Sequence, residues 1–473
     1  MTLSFTGMPV LVVGAGVSGE AATLALLAAG AIVTVTAPKA GEGTERMARA
    51  GARIALGLAA PPHGTGLVVT SPGLPPTDPL LRAAEAAGTE VIGEVELAWR
   101  LQPAAGPAWL ALTGTNGKTT TVRMLESMLL AAGLRAVACG NVGLPITQAT
   151  LATPPYEVLA VELSSFQLYR APTVRPTAAA VLNLAPDHLD WHGTMDEYAA
   201  AKAHIWAGGI AIGNADEPAV VELLAAAPGE HVTFTLREPN IGQLGVVNNT
   251  LVDRAFEDLS TVDGPPSVQL ADPATVGTIL STVDEVRPAG PHNVANALAA
   301  AALARSYGVP PKAVREGLRR FVPDRHRNEY VATVGGVAYV DDSKATNPHA
   351  AGASLAAYPR IVWVAGGQLK GAEVDGLVAA YAPKLAGAVL LGQDRAILAK
   401  AIARHAPNLP VIEVSSTDDG AMLEVVRAAA GLARPGDTVL LAPAGASWDM
   451  FANYNARGAA FVAAVHQLPG APS

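Results

Sequence analysis

The segment Gly114-Thr115-Asn116-Gly117-Lys118-Thr119-Thr120 holds the densest phosphate-handling chemistry in the sequence. Backbone N–H groups of a glycine-rich turn can cradle phosphate oxygens, a lysine at the helix start reaches terminal phosphates, and a threonine hydroxyl can ligate Mg²⁺. The usual first glycine of a P-loop would fall at position 112, where Leu112 stands, so a plain glycine turn is the alternative. Glu162 closes the apolar run 158–161, where an acid can hold Mg²⁺ against β- and γ-phosphates. By itself, an acid at a strand end is as often a solvated charge. Asp187-His188-Leu189-Asp190, with Lys202 on the helix beyond, offers oxygen and imidazole ligands for a hard divalent ion. A surface turn followed by a helix start reads equally well there.

Gly14, Gly16 and Gly19 form a GxGxxG pattern after an apolar strand. A nicotinamide dinucleotide site needs an acid near the end of the next strand. That strand runs instead into Thr36-Ala37-Pro38-Lys39, so a diphosphate-bearing ligand fits better than NAD. Further on, Asp341-Asp342-Ser343-Lys344-Ala345-Thr346-Asn347 follows a strand. Its mixed charges can recognise a zwitterion, although taken alone an ordinary polar loop is the simpler reading. Arg327, after His326, can swing onto a phosphate or a hinge carboxylate.

Elements must position these groups, and three α/β blocks do so. In the first, the strand 9–13, the alanine-rich helix to Ala29 and the strand 31–36 form a βαβ unit, and the strand 66–70 ends in Ser71-Pro72-Gly73. In the second, the buried strand 108–112 feeds the Lys118 loop, and Val122, Leu125 and Leu129 follow at helical spacing. Strands ending at Glu162 and Asn183 should bring both to the same rim, since ligands gather at strand carboxyl ends in open parallel sheets. The third has strand-like runs ending at Asp341, Gly366, Gly392 and Pro443, separated by helices. Residues 230–286 lack periodicity and read as irregular or locally β. Linker-like breaks at 102–107 and 321–324 give domains of 1–104, 105–323 and 324–473: a Rossmann-like domain, a central P-loop-type ATPase domain with a parallel-rich sheet, and a second Rossmann-like domain.

Composition narrows the class. With 473 residues, half of them apolar, the chain can build about three cores. The most apolar early stretch, 10–37, is broken by glycines and Glu20, which argues against a membrane anchor. Residues 1–8 lack a basic n-region with a signal-peptide core. Cys139 is the single cysteine, which suits a reducing compartment. A net charge of −9 argues against nucleic acid as main partner but leaves local phosphate sites open. A cytoplasmic monomer is the expectation.

The motifs occur in a recognisable order: TGTNGKTT (113–120), GNVG (140–143), ELSSFQL (162–168), NLAPDHLDWH (183–192), AAK ending at Lys202, GPHNVANALAA (290–300), HR (326–327) and DDSKATN (341–347). This set resembles the Mur ligases of peptidoglycan synthesis across essentially the whole chain. SPGLPPTDPLL, ELSSFQL and DSKATN look like the branch that adds D-glutamate to UDP-N-acetylmuramoyl-L-alanine. The resemblance implies an ATP-dependent, ADP-forming ligase that works through an acyl phosphate.

It also implies roles. Gly14, Gly16, Val17, Ser18, Lys39, Ser71, Gly73, Asn141 and Ser164 would contact the nucleotide-sugar substrate. Gly114, Thr115, Asn116, Gly117, Lys118, Thr119 and Thr120 would hold the ATP phosphates. His292, Asn293 and Asn296 would line the adenine side, and Arg327 and Asp342 would reach ATP from the third domain. Two Mg²⁺ ions would be held by Thr119 with Glu162 and by His188 with a carbamylated Lys202; Lys118, His188 and Lys202 would be the catalytic set. Lys344, Thr346, Lys370, Ser447 and Tyr454 would surround D-glutamate. Three readings compete: a sibling ligase (folylpolyglutamate-type included), a nucleotide-regulated binding protein without ligase activity, and a nicotinamide oxidoreductase.

Overall fold

Short, mostly apolar runs of two to seven residues become the strands of three separate sheets. The structure is a computed structural model that describes residues 5–256, 277–418 and 420–471. Strands β1 (Pro9–Val13), β2 (Ile32–Thr36), β3 (Arg53–Ile54), β4 (Leu67–Thr70) and β5 (Glu90–Gly93) pair in parallel in the order β3-β2-β1-β4-β5. Val10, Val12 and Val69 pack into one core and Leu11, Val13 and Val68 into another, so both faces of this sheet are covered. The strand order reverses at β1, and the loops after β1 and β4 open at that switch point.

The second sheet contains β6 (Ala108–Thr113), β7 (Ala136–Gly140), β8 (Val158–Glu162), β9 (Ala178–Val181), β10 (Ile210–Asn214), β11 (His231–Phe234), β12 (Gln243–Val247), β13 (Thr250–Asp253) and β14 (Thr278–Thr282). Their order is β14-β13-β12-β11-β10-β9-β6-β8-β7, parallel from β7 to β12 and antiparallel at the β13–β14 end. The stretch without periodicity contains the short strands β11 to β14, joined by loops and followed by a 3-10 turn at Val283–Glu285; residues 257–276 lie outside the described residues. Asn248 and Asn249 turn β12 into β13 with both φ positive, +46° and +64°, as a two-residue type I′ hairpin requires. Cys139 sits fully buried in β7, and burial pushes its thiol pKa far up.

The third sheet has the order β15-β16-β20-β17-β18-β19, with β15 (Glu329–Val334), β16 (Val337–Asp341), β17 (Ile361–Gly366), β18 (Leu385–Leu391), β19 (Val411–Glu413) and β20 (Thr438–Ala444). Only the β15–β16 pair is antiparallel. The strand expected to stop before Pro443 continues through it to Ala444. Two cores cover its faces, one around Val362, Val389 and Phe461 and one around Trp363, Leu390 and Leu398.

The chain forms two compact units. One contains the residues up to Glu285 together with Ala295–Phe321; the other contains Val286–Val294 and everything from Val322. The first two sheets lie in the first unit and the third sheet in the second. Among the described residues, no helix is long and apolar enough to cross a membrane.

Candidate active site

The Lys118 loop joins β6 to the helix Lys118–Ala131, and Gly117 caps that helix at φ +81°. A side chain at 117 would be strained there, and a Cβ would lie 2.3 Å from Asn296 Oδ1. Glycine thus lets the loop close onto Asn296, which the family resemblance implies for the adenine side. Lys118 Nζ folds back onto the carbonyls of Gly114 (2.8 Å) and Thr115 (2.9 Å). Thr115 Oγ1 meets the Tyr198 hydroxyl at 3.0 Å and accepts from Ala185 N. The Asn183 side chain clamps the loop from beside β9: Asn116 N donates to its Oδ1 (2.8 Å) and its Nδ2 donates to Asn116 O (3.1 Å). Thr119 is half-buried and Thr120 buried, both in the first turn.

Because β9, β6 and β8 are adjacent and parallel, their carboxyl ends bring Asn183, the Lys118 loop and Glu162 together. Glu162 is buried; its Oε1 accepts from Asn141 Nδ2 at 2.8 Å, whereas its Oε2 has no hydrogen-bond partner among the described residues. An orphaned buried carboxylate oxygen is costly unless a ligand satisfies it, and a hard cation does so. Lys202 is 1 % exposed, and its Nζ bonds Gly114 O (2.9 Å) and Thr113 Oγ1 (3.3 Å). Burial, then the neighbouring Lys118 ammonium on the same carbonyl, hold its pKa well below the usual lysine value. His188 caps the helix Leu189–His192 in the left-handed region, φ +54°, with its ring 4.7 Å from that of Phe166. Its Nε2 lies 3.6 Å from Asp187 Oδ2.

The loops of the first sheet are close-packed. A Cβ on Gly14 would meet Ser71 Oγ at 2.2 Å, and one on Gly19 would meet Gly14 O at 2.0 Å, whereas Gly16 faces open space. The N-terminal turn of the helix Val17–Ala28 and the end of β4 therefore share one rim, and Gly73 is exposed in the turn after β4. Val17 is 73 % exposed and Lys39 is exposed, so both are available to a ligand without a built pocket of their own. Ser164 caps the helix Ser165–Tyr169 reciprocally with Gln167.

The remaining candidates lie in the second unit. His292, paired with Asn293 Nδ2 at 3.0 Å, is held neutral by burial, with its pKa near 4, and its Nδ1 has no partner among the described residues. Asp342 accepts from Ser354 Oγ and Asn328 N, and burial raises its pKa to about 6. Arg327 Nε lies 3.8 Å from Asp324. The Lys344 ammonium lies 4.0 Å from the centre of the Tyr454 ring, and that of Lys370 lies 4.7 Å from the Trp448 ring. Ser447 is buried, and Thr346 N bonds back to Lys344 O. Tyr454 opens the helix Tyr454–His466, whose first N–H groups have no partner within the helix.

Three residues that organise these sites are absent from the sequence reading as site residues. Asn183 had a signal, since it ends a strand beside the loop. Tyr198 had none. Arg457, 1 % exposed, donates to Ser343 Oγ, Ser343 O and Gly445 O, tying the 341–347 loop to the end of β20. Burial lowers its pKa to about 10. Its partner Ser343 is more than a hundred residues away in sequence, beyond any local pattern.

Comparison with known proteins agrees with this geometry. The Mur ligase middle domain matches residues 112–304, and the Mur ligase, glutamate ligase domain matches 326–445. The UDP-N-acetylmuramoylalanine–D-glutamate ligase of Thermobifida fusca is 57 % identical over 99 % of this chain and 100 % of its own. Proteins of the same name from Streptomyces coelicolor and Mycolicibacterium smegmatis are 53 % and 48 % identical, covering 99 % and 98 % of this chain and 100 % and 97 % of their own. The solved pseudomurein peptide ligase type C of Methanothermus fervidus shares the fold at TM-score 0.57 and 18 % identity, over 97 % of this chain and 99 % of its own. MurC of Thermotoga maritima does so at TM-score 0.56 and 17 % identity, over 96 % and 98 %. With both domains matched and relatives of such identity along its whole length, the chain belongs to the Mur ligase family.

Proposed function

We propose that the protein joins D-glutamate to UDP-N-acetylmuramoyl-L-alanine at the expense of ATP, the reaction named for its full-length relatives. One observation carries this reading: the carboxyl ends of β6, β8 and β9 place a phosphate loop, an orphaned carboxylate and a desolvated lysine side by side. We assign the sheet of β1–β5 to the nucleotide end of the substrate, that of β6–β14 to ATP, and that of β15–β20 to D-glutamate.

The alanyl carboxylate attacks the γ-phosphate, giving an acyl phosphate and ADP; the amine of D-glutamate then attacks the acyl carbon and expels phosphate. Catalysis of the first step is mainly positioning and charge stabilisation. The N–H groups of residues 117–119 and the Lys118 ammonium hold the phosphates, with Asn183 engaging the N–H groups of Thr115 and Asn116 and keeping the loop in shape. Thr119 with Glu162, and His188 with a carbamylated Lys202, would hold two Mg²⁺ ions, which neutralise charge on the transferring phosphoryl group. Burial holds the Lys202 pKa well below the usual lysine value, which favours the neutral amine, the form that adds CO₂ to become an anionic oxygen ligand. In the second unit, Lys344 and Lys370 rest on aromatic faces, and the helix starting at Tyr454 offers N–H groups to a carboxylate. The two lysines and that helix end suit a dicarboxylic amino acid.

The test is ATP-dependent phosphate release with UDP-N-acetylmuramoyl-L-alanine, comparing D-glutamate, L-glutamate, L-alanine and a diamino acid. Release with D-glutamate alone is expected. Release with another amino acid would keep the mechanism and overturn the assignment of the second unit; no release would leave a nucleotide-binding protein without ligase activity.

A further inference from the structure

The second unit leaves a tryptophan in solvent just beyond the carboxyl end of β20. Trp448 is 69 % exposed, in the loop between β20 and the helix Tyr454–His466. A single exposed aromatic needs no explanation in itself. Its neighbour does: the Lys370 ammonium lies 4.7 Å from the ring centre, inside the range of a cation–π contact. Lys370 is exposed, and among the described residues its ammonium has neither an ion pair nor a hydrogen-bond partner.

The surroundings fix the backbone near both residues and leave the lysine side chain to the ring. Gln368 and Ala446 exchange two backbone hydrogen bonds of 2.8 Å, joining the turn after β17 to the end of β20. Lys370 and Trp448 each stand two residues past one of these partners. Lys370 holds φ +52°, a left-handed conformation that non-glycine residues seldom adopt and that its tied turn sustains. Two acids of the same rim are spent on backbone groups: Asp394 Oδ2 accepts from Leu369 N and Asp449 Oδ2 from Gln393 N, each at 2.7 Å. Only the Trp448 ring therefore restrains the head of a long, flexible side chain. A lysine left unheld loses its rotamer freedom when it binds an anion, and that loss weakens binding.

We propose that Trp448 is a positioning residue for the amino-acid substrate: its ring holds the Lys370 ammonium where a substrate carboxylate meets it. This rests on the proposed D-glutamate ligation and adds a residue to it. An ammonium has three N–H donors, so it can stay on the ring and still donate to a carboxylate. Ser447, the residue before Trp448, is buried and expected around the same substrate. The competing account is that Trp448 offers apolar surface alone, to its own loop or to the substrate's methylenes. Trp448→Phe and Trp448→Leu separate the two, because both side chains are apolar and only phenylalanine has a π face.

The experiment measures kcat and the KM values for D-glutamate, ATP and UDP-N-acetylmuramoyl-L-alanine in the full-length protein, with thermal melts alongside. Trp448→Leu should raise KM for D-glutamate about fivefold or more, leaving kcat and the other two KM values within about twofold. Trp448→Phe should keep KM for D-glutamate within about threefold of wild type. Melting temperatures should match wild type, since the ring is mostly in solvent. In a Lys370→Gln background, Trp448→Leu should change KM for D-glutamate by less than about twofold, because the cation it holds is gone. Equal increases in the phenylalanine and leucine variants, or no increase in the leucine variant, overturn the inference. So does a full leucine effect in the Lys370→Gln background; if that background is too slow to measure, the phenylalanine–leucine comparison decides alone. Absence of wild-type turnover with D-glutamate would overturn the ligase reading and this inference with it, whereas loss of the phenylalanine–leucine difference overturns this inference only.

Discussion

Replacing Asn183 with alanine isolates what holds the phosphate loop in shape. The change removes two hydrogen bonds, from Asn116 N at 2.8 Å and to Asn116 O at 3.1 Å. Each is worth about 0.5–1.5 kcal/mol net, so the pair contributes about 1–3 kcal/mol. The loop does not fall apart in the variant, because Thr115 N still donates to Asn183 O and the Thr115 hydroxyl keeps its contacts with Ala185 and Tyr198. The free protein therefore tolerates a looser Asn116, and the ordering cost falls on ATP binding. Transferred in full, 1–3 kcal/mol corresponds to a roughly 5- to 150-fold weaker ATP interaction. The assay is phosphate release at saturating nucleotide sugar and D-glutamate, with ATP varied and a thermal melt alongside. Asn183→Asp should be worse than alanine, since it turns the donor into a carboxylate facing Asn116 O and the phosphates. An ATP KM within twofold of wild type in Asn183→Ala would refute the reasoning, because the loop would then be set by its backbone alone.

Other expectations follow from the same geometry. Gly117→Ala combines a φ of +81° with a 2.3 Å approach to Asn296 Oδ1, and should lower activity more than a hundredfold; Asn296→Gly in the same chain should relieve the clash but not the backbone strain, so steady-state rates of the double variant should recover only in part. Stripping CO₂ from the buffer should reduce turnover, and bicarbonate should restore it with a lag, if the buried Lys202, its pKa lowered by burial, is the carbamylation site; identical rates in both buffers would count against it. His292 has its pKa lowered to about 4, so the unfolded chain binds the extra proton between about pH 6.5 and 4 and stability is lost as pH falls through that window. His292→Gln should flatten that part of the melting curve against pH. Glu285, bonded by Arg315 and Arg319, has its pKa held at about 2; its contribution is present above the ordinary carboxylate range and lost as pH falls toward 2. Glu285→Gln should cost about 0.5–1 kcal/mol at pH 7, and the gap to wild type should close in melts at progressively lower pH.

Much of the site was legible because it is local. The Lys118 loop and Glu162 sit where apolar runs of one parallel sheet stop, which puts them on one rim, and the Gly14–Gly19 turn sits at such a stop on another sheet. The β character of 231–253 was harder to read, since its strands are short and partly polar, although Asn248-Asn249 is a hairpin signal in itself. One boundary between the compact units falls at Phe321–Val322, within the break read at 321–324, whereas another falls inside the helix Pro291–Ser306, a run of continuous helical sequence with no break to mark it. Arg457 and Tyr198 were invisible for another reason. Their importance comes from what they reach across the fold, and a buried arginine in a helix looks in sequence like any surface arginine.

The single thiol has a practical use. Cys139 lies in β7, fully enclosed, with ionisation suppressed by burial, so a thiol-reactive dye should find nothing to label while the sheet is closed. Labelling then becomes a clock for opening of that sheet. A saturating ATP analogue should slow the clock by the same factor by which it stabilises the closed state, giving a binding constant without turnover and without an engineered probe.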